Sequence, residues 1–195
     1  MANEIRHLEL SRDQLEDLIA HHPITDLSPW TVHEDEVISF VRGMSEKICL
    51  AHKVLAQIET TFLEGGFSSY LSAWFYRPTI DFAVSKPTGR SQEFVGLLIL
   101  FSAFSPYYVV MQSEHCWDTK GPSGSEMPAF AMVDQINHPS VAQLLPPIQE
   151  DFDKHSLIRL SQHAVGDYLP RDLTLDTFLS KPPYRVFDAL FHVSD

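Results

Sequence analysis

Residues 94–104 constrain the fold more than any other stretch of the chain. They read Phe-Val-Gly-Leu-Leu-Ile-Leu-Phe-Ser-Ala-Phe, apolar at nearly every position. A strand that is apolar on both faces belongs in the centre of a sheet, covered on both sides. The run is about half of the roughly 20 residues that a membrane-crossing helix needs. Ser105-Pro106 breaks it, and Tyr107-Tyr-Val-Val-Met111 resumes strand chemistry as an antiparallel partner across a short connection. Residues 70–76 add a further strand, which Pro78 places near an edge or an end. Ile80, Phe82 and Val84 alternate with Asp81, Ala83 and Ser85, the period of a half-buried strand, and residues 86–90 read as a turn.

Ahead of these strands the chain has helical spacing. Ser11 and Gln14 fit a capping box for a helix that runs to about His22 and stops at Pro23. Thr31 and Glu34 fit a second box, and Glu34, Asp35 and Glu36 suit a helix N-terminus. Val37, Val41, Met44, Ile48, Ala51, Leu55, Ile58 and Phe62 then alternate spacings of four and three, up to Gly65-Gly66. This predicts one long helix over about 31–64. Ile38, Phe40 and Val54 widen its stripe beyond a coiled-coil seam, so it is expected to lie on its own sheet.

Residues 118–128, rich in Gly, Pro and Ser, read as a long surface loop. Beyond it, residues 129–133 and 157–160 are expected strands. Residues 139–145 start a helix that Pro146-Pro147 interrupts, and residues 147–155 form a short one. Residues 182–191 fit helical and strand spacing and are assigned to a helix. The expected architecture is α+β: N-terminal helices packed on an antiparallel sheet, then shorter mixed elements. With 195 residues and no second core-sized unit, residues 1–195 are expected to form a single domain.

Charge and composition bound the function. The formal net charge is −12, with 26 acidic and 14 basic side chains. That balance excludes a nucleic-acid-binding module of the usual basic kind. Residues 1–66 hold 12 acidic and 5 basic side chains, a net of −7, so the excess is densest in the helical part. Two cysteines exclude a disulfide-dense secreted scaffold. Without an apolar N-terminal stretch, the chain is expected to be cytoplasmic, with no membrane partner.

Catalytic and metal motifs are missing from the sequence. Ten histidines include no His-Glu-x-x-His, and the neighbours in His21-His22 and His115-Cys116 diverge, so no metal or cofactor is expected. Cys116 is a candidate nucleophile with His138, His163 or His192, but Glu114 and Asp118 beside it would raise the thiol's pKa. Gly121-Pro-Ser-Gly124 lacks the Lys-Ser or Lys-Thr of a phosphate loop. What remains is an acidic surface able to steer a basic protein into contact. The candidate contact residues are Glu114, Asp118 and Glu126 around the loop, with Glu150, Asp151 and Asp153 as a second patch. Trp117, Phe130, Tyr107 and Tyr108 are candidate aromatic anchors.

The ending Pro183-Tyr-Arg-Val-Phe-Asp-Ala-Leu-Phe191 resembles that of several bacterial immunity proteins of interbacterial toxin systems, including type VI secretion and polymorphic toxins. The small acidic α+β layout resembles that group too. The resemblance implies a stoichiometric, non-catalytic inhibitor that binds its cognate toxin in the cytoplasm and blocks the active site. Within the group the chain resembles most the families paired with nuclease toxins, whose clefts are basic. It carries a role and no site residue. Two alternatives stay open: a small enzyme with a Cys116/His site, and an adaptor that dimerises through the 37–62 stripe. The protein is expected to be a monomer or a homodimer.

Overall fold

The computed structural model describes residues 4–5, 7–84, 92–118 and 121–194, without the side chains of 4, 5, 62, 118 and 121–125. The turn expected at 86–90 lies outside the described residues, as does the Asp118 side chain. The fold is α+β. Its centre is the hairpin of β4 (Gln92–Ser102) and β5 (Tyr107–Asp118), paired antiparallel from Gln92↔Trp117 to Phe101↔Tyr108. On one side β3 (Tyr70–Tyr76) pairs with β4, and β2 (Leu55–Glu59) forms the edge. On the other side the start of β5 pairs with β7 (Ile158–Leu160), which pairs with β1 (Glu4–Ile5). The end of β5 pairs instead with β6 (Gly121–Ser125). Pairings of β7 are parallel, so the sheet is mixed and not wholly antiparallel. The strand β3 lies next to the edge strand β2, and Pro78 stands just past its end at Tyr76.

Each face of the sheet has its own cover. Phe101 and Tyr108 share one face, where Phe152 of α4 (Pro139–Lys154) packs edge-on against them at 5.4 and 5.0 Å. Val141, Leu144, Ile148 and Phe152 make the buried stripe of that helix. It is one helix, not two. Pro139 opens it, and Pro146 lies exposed, away from the buried stripe, so the helix continues past the proline pair. Beside it runs α2 (Glu34–His52), joined to α4 by a 2.7 Å bond from His52 to Asp151. On the opposite face Phe191 packs edge-on to Tyr70 at 6.3 Å, just after α5 (Val186–Leu190). The short helix α1 (Arg12–Ile19) starts at the Ser11/Gln14 capping box and packs on α5.

Several expectations are corrected. The helix expected over 31–64 ends at His52, where Lys53 turns left-handed at φ 53° and donates its N–H to Cys49. Its N-cap is His33, accepting from the Asp35 N–H, and not Thr31. The rest of the stripe becomes β2 and the one-turn helix α3 (Thr61–Glu64). Ile80–Phe82 and Phe130–Met132 are 3-10 turns in place of strands. Within the expected loop 118–128, residues 121–125 form β6. That strand carries no apolar signal and is held by backbone pairing to β5.

Candidate functional site

The face opposite α4 is only partly covered, and the uncovered part is a cleft. Strand alternation puts Trp74, Leu98 and Leu100 on this face. Gly96 makes room for the indole: a Cβ there would stand 2.4 Å from Trp74 Nε1. The indole lies across β4 and its Nε1–H donates to the Ser113 carbonyl at 3.2 Å. His115 stacks on Trp74 with centroids 3.9 Å apart and planes within 1°. Tyr76 stacks on the same indole at 4.2 Å.

The cleft has a volume of about 160 Å³. Trp74, Leu98 and Leu100 make an apolar floor, with Gln57 and Glu59 from β2 on one side and Glu126, just after β6, on the other. His115 lines it and is 93% buried, with 7% exposed. Its imidazole makes no hydrogen bond among the described residues, and burial pushes it from 6.5 down to about 4, so it is neutral at pH 7. The Gln57 Oε1 is also buried and without a partner among the described residues. At the end of the cleft Tyr70 is mostly buried, which raises its hydroxyl to about 12.

Of the residues expected from the sequence, Glu126 is the one that lines this cleft. Glu114 is exposed, but alternation along β5 turns it to the face opposite His115. Glu114 and Glu126 therefore do not form one patch. Glu150 is exposed on α4, with Lys154 at 3.9 Å. Asp151 accepts from Lys154 and His52, each at 2.7 Å. Burial alone would raise its pKa, but these bonds hold it below the usual carboxylate range. Asp151 thus ties two helices together, and Asp153 is half-buried on the same helix. The four expected anchors also serve the interior. Tyr108 is fully buried, Trp117 packs on Tyr76 at 5.8 Å, Phe130 receives the Arg185 guanidinium at 4.5 Å, and Tyr107 is half-buried.

The histidines named with Cys116 have three different surroundings. The His138 ring lies 6.4 Å from Phe82, and His163 lines a shallow depression with Gln162 and Asp167. His192 Nε2 meets His21 Nε2 at 2.9 Å, one neutral ring donating to the other. Burial is the main cause that pushes His192 from 6.5 to about 4, and it lowers His21 as well. No group of three potential metal ligands is found among the described residues. No helix there is long and apolar enough to cross a membrane.

These buried neutral rings make stability depend on pH. The unfolded chain takes up the protons of His115 and His192 near 6.5, the folded chain near 4. Their contribution is full above about pH 6.5 and is lost as pH falls toward 4. Urea unfolding between pH 7 and pH 4 is expected to show a steep loss of stability, and His115→Phe should flatten the slope. An unchanged slope in that variant contradicts the assignment.

Compared with known protein families, with curated proteins and with solved structures, the chain matches none. Helical spacing over 55–62 hides Gln57 and Glu59 in the sequence, and nothing in the strand pattern of 70–76 singles out Trp74. In the sequence His115 stands out only as the neighbour of Cys116.

Proposed function

We propose that the protein is an immunity protein that binds a cognate antibacterial toxin, a nuclease, and blocks its active site. The observation that carries this reading is the cleft: an apolar, aromatic floor between the carboxylates Glu59 and Glu126. Such a surface suits a basic protein, and a nuclease is basic where it holds phosphate. The net charge of −12 supports the same partner by raising the association rate. The C-terminal stretch 183–191 adds the resemblance. Its residues Val186, Phe187, Ala189, Leu190 and Phe191 are buried in the core, so it supports the reading through the fold and not through contact.

The test is genetic. A strain lacking this gene, grown in contact with its toxin-carrying parent, is expected to be outcompeted and to accumulate degraded nucleic acid. Restoring the gene in the cytoplasm restores fitness. A deletion strain that competes as well as its parent overturns the proposal.

A further inference from the structure

We propose that the cleft is a socket for the guanidinium of an arginine side chain presented by the partner protein. This rests on the reading above, because it names the group through which the partner is held. The cleft offers acceptors. Glu59 and Glu126 stand on its two sides, and the Gln57 Oε1 is buried there with no donor among the described residues. The neutral His115 ring keeps one nitrogen free of a proton, which makes it an acceptor as well. A ligand rich in donors and positively charged answers all four groups. Carboxylates on the rim repel phosphate and carboxylate ligands, which excludes a nucleic acid or an anionic membrane surface as the occupant.

Size and shape narrow the choice. About 160 Å³ is well below the roughly 300–1,000 Å³ of sites for drug-sized ligands, and suits one side chain. The acceptors come from β2, from β5 and from the segment after β6, so they line the cleft from more than one side. A guanidinium spreads five N–H donors over a plane, whereas an ammonium is a compact point charge. Both faces of the Trp74 indole are taken, by His115 and Tyr76, so a planar cation would meet the His115 ring and the indole edge, and Leu98 and Leu100 suit its aliphatic stem.

The experiment uses the isolated protein and three small probes: N-acetylarginine methylamide, its citrulline counterpart and its lysine counterpart. Citrulline keeps the shape and loses the charge. The readouts are the NMR signals of the Trp74 indole N–H and the Gln57 side-chain amide. The arginine probe is expected to give saturable shifts at both, at least about tenfold tighter than citrulline or lysine, the scale of a charge-assisted bidentate contact. Glu126→Gln and Glu59→Gln should each weaken it by about tenfold. The glutamine at 59 retains the acceptor that holds the Thr61 N–H at 2.7 Å, so folding is spared. His115→Phe, which keeps the stack and loses the nitrogens, should weaken it too. No saturable shift, or equal binding of citrulline or lysine, overturns the socket. The competition assay does not involve the probes: a sensitive deletion strain with no arginine binding leaves the immunity reading standing and removes the socket alone. A fit deletion strain with arginine binding does the reverse.

Discussion

Gly96→Ala is expected to lower the unfolding free energy by about 3 kcal/mol, at the upper end for one added methyl group in a packed core. The position allows no cheap escape. The new Cβ would lie 2.4 Å from Trp74 Nε1, 2.5 Å from Cε2 and 2.7 Å from the Phe75 carbonyl oxygen. The carbonyl belongs to the β3–β4 ladder and cannot retreat without loss of pairing. The indole is held by Ser113 and stacked between two aromatic partners, so moving it costs a hydrogen bond and two ring contacts. Urea unfolding should show a lower midpoint at an unchanged slope. Gly43→Ala is the control: nothing lies within 4 Å of a Cβ there, in the middle of α2, and about 0.5–1 kcal/mol of stabilisation is expected. Equal stability of the Gly96 variant and the wild type would mean that the indole does not lie across β4.

The centre of this fold is legible because its residues have one physical solution. An apolar run too short for a membrane and apolar on both faces fits a central strand, and residues 94–102 of it lie in β4. The Ser11/Gln14 box is equally explicit, since both reciprocal bonds are local. The end of α2 is not. Lys53 takes a left-handed backbone that usually announces itself as Gly or Asn, so the apolar spacing ran on unmarked to Gly65-Gly66. Leu55 and Ile58 kept the helical spacing by coincidence: Leu55 is 48% exposed at the sheet edge. Alternation misled at Ile80 and Phe82 for a similar reason, as a 3-10 turn also exposes one and buries the other. The candidate site suffered from the same error. Glu126 is visible as loop charge, but Glu59 falls within the helical spacing, and no local signal joins residues 57, 74, 115 and 126. Their convergence is a product of strand pairing between distant segments.

The second large effect falls on function. If the cleft holds the partner's cation, neutralising one rim carboxylate and reversing the other leaves that cation unpaired beside a like charge, a loss of about 2–5 kcal/mol for a truncated pair that the complex buries. The variant Glu59→Gln/Glu126→Lys should therefore bind its toxin at least about a hundredfold more weakly. Glu126 is exposed and Glu59→Gln keeps its bond to Thr61, so the variant should fold and accumulate as the wild type does. Glu114→Gln/Glu150→Gln, which removes two exposed charges outside the cleft, is the matched control. The decisive measurement is contact competition of the deletion strain restored with each gene, at equal protein levels. The cleft variant should leave the strain as sensitive as the deletion while the control protects it fully. Full protection by the cleft variant would contradict the account.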